Sequence, residues 1–214
     1  MHTGATSTRN AGRALWLKNL HQWHWISSAL CLLGMLLFSI TGITLNHASQ
    51  IESKPVITRK NVAVPAPLLS ELRQFAASHD GATAALPAHV QRWLQETWAV
   101  ASNGRSADYS QEEVVVSLPK AGGDAWVRFV LPEGKAEFEV TDRGWISWFN
   151  DVHKGRNTGP AWSWFIDLFA LSCLVFCITG FLILKFHALK RPAIWPVLGL
   201  GILIPCLLAL LFIH

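Results

Sequence analysis

LHQWHWISSALCLLGMLLFSITGITLNH, residues 20–47, decides the fold. Positions 26–45 carry no charged residue. A helix rising about 1.5 Å per residue needs roughly 20 apolar residues to cross the hydrocarbon core of a bilayer, so this stretch is long enough. It is too long for the apolar part of a signal peptide, about 7 to 15 residues, and no A-x-A site follows it, so a retained helix is expected. Two further stretches have the same character. Residues 161–184 hold one charged side chain, Asp167, and residues 193–213 hold none. With 51% hydrophobic and only 15% charged residues, the chain is too apolar for an ordinary soluble domain. Three transmembrane helices are expected.

Charge sets the expected orientation. Arg9, Arg13 and Lys18 precede the first span, and Lys185, Lys190 and Arg191 fill the short connection between the second and third, with no acid in either region. Short cytoplasmic loops carry the Lys/Arg excess, so the N-terminus and this connection should lie inside and the long segment 46–160 outside. The net charge of +4 then reports topology, and no nucleic-acid partner is called for. Eight of the 11 tryptophans (Trp16, Trp23, Trp25, Trp145, Trp148, Trp162, Trp164 and Trp195) fall where interfacial aromatic belts should be, which supports the spans independently of hydropathy. All four cysteines, Cys31, Cys173, Cys177 and Cys206, lie within the spans, which leaves the outer segment free of thiols and suited to an oxidising periplasm. Cys173 and Cys177, at helical spacing, read as packing residues rather than metal ligands.

The outer segment begins with a polar, proline-bearing stretch at 50–67 that reads as a linker. Helical spacing follows in 68–78 and 88–100, then strand-like runs at 114–118, 126–131 and 136–141 with turn signals between them. A small α+β extracytoplasmic domain is expected. The chain therefore divides into a cytoplasmic tail at 1–14, a first transmembrane helix at 15–47, the outer domain at 48–160, a second helix at 161–187, and a loop with a third helix at 188–214. Within the third helix Pro196 falls in the first turn, whereas Pro205 is central and should kink it. Gly199 and Gly201 have no preceding strand, so no nucleotide loop is read there.

Histidine is the residue that points to chemistry. Of nine, six sit at span borders: His21, His24 and His187 on the inner side, His47, His153 and His214 on the outer. Imidazole on an apolar helix is well suited to holding haem iron, which needs two axial ligands facing each other. His24 or His21 with His187 could form an inner pair, and His47 with His153 or His214 an outer one. No CxxCH is present, so haem b held without covalent attachment is the expected cofactor. A short echo supports this: 38–42 reads FSITG and 176–180 reads FCITG. The glycine would let a flat macrocycle approach the backbone, and the threonine hydroxyl can bond back to the preceding turn; helix–helix packing is the plainer reading. Gly180 and His187, seven apart, share a face, whereas Gly42 and His47 do not. Asp167, an acid at membrane depth, could orient a ligating histidine or cap the interface. Lys154 and Arg156, beside His153, could pair with haem propionates or an anionic substrate.

LHQW at the head of the first span, Thr41-Gly42, Asn46-His47, DVHKGRNTG at 151–159 and WSWFIDL at 162–168 together resemble the PepSY-associated transmembrane proteins. Larger members of that family include inner-membrane reductases that take iron off ferric siderophores with b haems held by paired histidines. The resemblance implies a PepSY-like outer domain and periplasmic ferric iron, free or chelated, as substrate. Three spans are fewer than in those members, and a homodimer would double them to six.

The expectation is an α-helical membrane protein of three transmembrane helices plus a small PepSY-like α+β domain, in the bacterial inner membrane, acting as a haem-dependent ferric reductase. No flavin or nicotinamide fingerprint is present, so the expected electron donor is quinol or a partner protein. Two rivals differ in kind: a non-enzymatic, membrane-anchored PepSY domain that binds a protein, and a metal-binding accessory to an iron transporter that uses the outer histidines directly.

Overall fold

The computed structural model describes residues 4–51, 54–188 and 191–213, with side chains from residue 12 onward. The chain packs as two units, one of Met1–Leu37 with Trp164–His214 and the other of Phe38–Ser163.

Three helices are long and apolar enough to cross a membrane: α1 (Gly4–Asn46), α5 (Pro160–His187) and α6 (Ile194–Phe212). Helix α1 begins at Gly4, inside the stretch expected to be a tail. Once a long helix exists, each added residue gains a hydrogen bond without a new nucleation step, and residues 4–14 contain no proline to stop it. Positions 20, 24, 27, 31, 34, 38 and 41 of α1 are buried or half-buried, at alternating spacings of four and three. That 3.5-residue period is the signature of left-handed helix packing. The stripe is lined by small or polar residues, including Ser27, Cys31 and Gly34, which permit close approach between membrane helices. In the helical unit the Cys31 thiol, fully buried, donates to the Ser28 carbonyl of its own helix (4.0 Å). A Cβ on Gly34 would run into the ring of Phe169. Helix α6 runs through Pro205 and has no buried residue.

The second unit is a six-stranded antiparallel sheet in the order β1-β6-β5-β4-β3-β2. Its strands are β1 (Val56–Ala63), β2 (Thr83–Ala85), β3 (Ser106–Tyr109), β4 (Glu113–Ser117), β5 (Gly123–Val130) and β6 (Lys135–Asp142). Helices α2 (Ala66–Ser78) and α3 (Ala88–Trp98) pack on one face. There Leu72, Val90, Leu94, Val114, Val116, Val127 and Phe129 are fully buried. The opposite face carries Arg128 over the ring of Trp126, with ion pairs from Arg128 to Glu137 (2.6 Å) and from Arg59 to Glu139 (2.5 Å). A sheet with one buried and one wet face alternates in this way. The chain is thus an α-helical membrane protein with a small α+β domain, as its hydropathy and periodicity indicate.

Four elements fall outside the sequence reading: the short strands β2 and β3, in segments it left unassigned, and β1 and α4. The supposed linker contains β1, an edge strand paired along its length with β6, from Val56 opposite Asp142 to Ala63 opposite Lys135. Residues 144–154, read for their interfacial tryptophans and for His153 and Lys154 but not as an element, form helix α4 (Gly144–Lys154), which is capped by Gly155 at φ 66°.

Candidate functional site

Five of the six border histidines are described; His214 lies outside the described residues, as does Lys190. The helical unit holds His21, His24 and His187. His21 and His187 come together, with ring centroids 6.5 Å apart and planes nearly perpendicular at 82°. His47 and His153 belong to the sheet unit and, among the described residues, make no ring contact with each other.

What unites the five is the use of Nδ1. His21 donates it to the Leu17 carbonyl (2.8 Å), His47 to Ile43 (3.0 Å) and His187 to Ile183 (2.8 Å). A carbonyl only accepts, so each of these rings carries a hydrogen on Nδ1, and in the neutral ring the lone pair is on Nε2. This bond follows from helix geometry, because each partner is four residues back. His79 at the end of α2 makes the same bond to Phe75 (2.9 Å).

His24 and His153 are held differently. The half-buried His24 donates Nδ1–H to Thr179 Oγ1 (3.0 Å) and lies within 3.3 Å of the Phe176 carbonyl. Its ring stacks on Phe176 at 4.7 Å and 14°. The half-buried His153, on α4, meets Thr41 Oγ1 at 2.7 Å, and its ring lies 5.0 Å from that of Phe38. A Cβ on Gly180 would stand 3.1 Å from Cε1 of His24, and one on Gly42 would stand 3.6 Å from Cε1 of His153. The histidine partners of the two glycines therefore come from other helices. His187, seven residues from Gly180 on the same face, is not the one it meets, because close packing of helix on helix outranks spacing along one helix.

Around His153 the loop is stiffly built. The Asp151 carboxylate, 5% exposed, accepts the Gly122 N–H (2.9 Å) and faces Arg156 Nε at 3.5 Å. Gly122 has φ 77°, and a Cβ there would press on Trp148 at 2.7 Å. Asn150 accepts the Thr44 hydroxyl (2.9 Å) and helps line a cleft of about 380 Å³ with Lys54, Arg143 and Trp145. Lys154 is exposed, so the charge nearest His153 in sequence is open to an anion while Arg156 already faces Asp151. Asp167 is also exposed on α5. The second ring nitrogens go to carbonyls and threonines, so Asp167 does not orient these histidines.

The donor set fits an imidazole-ligated haem. Ligating histidines characteristically donate the other ring N–H to a carbonyl, carboxylate or water, which fixes the ring and raises its basicity. His21, His47, His187 and His24 meet that condition at a backbone carbonyl, and His153 faces the Thr41 hydroxyl in its place. Among the described residues no group of three or more His, Cys, Asp or Glu side chains is placed to hold a metal ion. The threonine contacts were not legible in the sequence as histidine contacts, although the FxITG echo marked the places.

Compared with known families, residues 15–214 match the model of the family described as PepSY_TM-like. No curated protein and no solved structure matches the chain.

Proposed function

The chain belongs to the PepSY_TM-like family, and on that premise we propose that it is an inner-membrane b-haem electron-transfer protein that reduces ferric iron, free or chelated, on the periplasmic side. The observation that supports this best is that His21, His24, His47, His153 and His187 each have Nδ1 engaged, which leaves Nε2 as the nitrogen open to a metal. Bound haem would supply a one-electron iron couple.

The chain's own residues account for the rest. His21, His24 and His187 are the ligand candidates of the inner border; His47 and His153, with His214, are those of the outer. Lys154, and Arg156 with the donors it does not turn to Asp151, would answer the propionates, and the apolar walls of α1 and α5 would keep water from the iron. The cleft bearing Lys54, Arg143 and Trp145 suits an anionic ferric chelate. Quinol or a partner protein would donate the electrons. A homodimer would supply six spans and a neighbour for α6.

The test is a visible spectrum of protein purified in detergent from haem-replete cells, with haem-to-protein stoichiometry. A sharp split band on dithionite reduction is expected. A colourless product would overturn the proposal and leave a membrane-anchored domain whose uncovered sheet face, around Trp126 and Arg128, takes a protein partner.

A further inference from the structure

The pentapeptide Phe-x-Ile-Thr-Gly occurs twice, on α1 and on α5, and each copy surrounds one histidine of another helix with the same three contacts. Phe176 and Phe38 lie against the rings of His24 and His153, Thr179 and Thr41 meet Nδ1, and Gly180 and Gly42 leave room at Cε1. Packing of small residues alone would require no hydroxyl aimed at Nδ1, and would not repeat the arrangement on two different helix pairs.

We propose that the two copies are histidine cradles in which Thr179 and Thr41 are positioning residues: they hold His24 and His153 in the tautomer with the proton on Nδ1 and leave Nε2 to bind a metal centre. The hydrogen bonds fix the direction. Thr179 donates its one hydroxyl proton to the Val175 carbonyl (2.7 Å), within reach also of Phe176 (3.1 Å), so its oxygen has only lone pairs for His24. The Phe176 carbonyl at 3.3 Å likewise can only accept, so Nδ1 must carry the hydrogen. Thr41 has the same two neighbours, the Phe38 carbonyl (3.2 Å) and His153 Nδ1 (2.7 Å), and we extend the same direction to it. Because each cradle and its histidine sit on different helices, ring orientation depends on helix packing, unlike the i−4 bonds of His21, His47 and His187. The inference rests on the haem reading only for the identity of the metal.

The experiment uses the full chain in detergent with ¹⁵N-labelled histidine, prepared from haem-deficient cells, and reads ring tautomers by NMR at a pH where the imidazoles are neutral. Thr179→Val and Thr41→Val keep the β-branched shape and remove the acceptor. Thr41→Val should move His153 from Nδ1–H toward Nε2–H, and Thr179→Val should do so for His24 to a smaller extent because the Phe176 carbonyl remains; Thr→Ser at the same site should restore each. Gly180→Ala should perturb His24, whereas Gly42→Ala, with ordinary contact distance, should leave His153 in place. From haem-replete cells, each valine variant should bind haem about 10- to 100-fold more weakly, the usual loss when a ligand's supporting partner is removed. Unchanged tautomers in both valine variants would overturn the cradle even if the protein is pigmented. A colourless wild type whose tautomers still follow the threonines would uphold the cradle and remove the haem reading.

Discussion

The chain's one tyrosine, Tyr109, reports on the sheet unit without any label. It is 3% exposed and donates its hydroxyl to the Ala85 carbonyl (3.2 Å), and burial pushes its pKa from 10.0 up to about 12. The raised value means that the fold favours the neutral phenol. Below pH 10 both states are protonated and stability is unaffected; between about 10 and 12 the unfolded chain ionises first and stability falls; past about 12 the loss is complete. An alkaline absorbance titration should show a single phenolate step near 12 in native protein and near 10 in denaturant. A native step near 10 would mean that β3 and α2 do not enclose the ring.

At the scale of elements, the seam between α1 and α5 depends on Gly34. Any side chain there would drive the ring of Phe169 aside, so Gly34→Val should lower unfolding stability in detergent by about 1–3 kcal/mol, the usual range for overpacking. Equal stability of variant and wild type would show that the helices do not approach this closely. Elements with a clear period were legible in the sequence. Val114, Val116, Val127 and Phe129 alternate, and Val90 and Leu94 repeat at helical spacing, so β4, β5 and α3 stood out. Strand β1 did not, because an edge strand with nearly every residue exposed, Arg59 and Lys60 among them, has no apolar rhythm; its partner β6 supplies the register. The histidines were legible by type and place. Their partners were not, since Thr179 and Thr41 reach them across a packed interface that no local pattern encodes.

For the molecule as a whole, the charge asymmetry makes a directional claim. With the native cysteines replaced, an Asn103→Cys variant should react with a membrane-impermeant maleimide in intact spheroplasts, and an Arg191→Cys variant should react only after lysis. The reverse pattern would turn the chain over in the membrane and place the sheet unit on the side of the electron supply, ending the proposal of outward reduction. Both positions lie on exposed residues of connecting segments, so neither substitution disturbs a buried contact.

Helix α6 has no buried residue anywhere along it, in a chain whose α1 carries a well-marked stripe. Among the described residues only Ile194 and Leu198, at its start, are even half-buried, so little fixes its azimuth: a cylinder nearly as greasy on every side can spin about its own axis at small energetic penalty. Lipid would leave it spinning. A companion that gripped one flank would stop it, so the rotational freedom of this last cylinder, more than its length, tells whether the molecule lives alone.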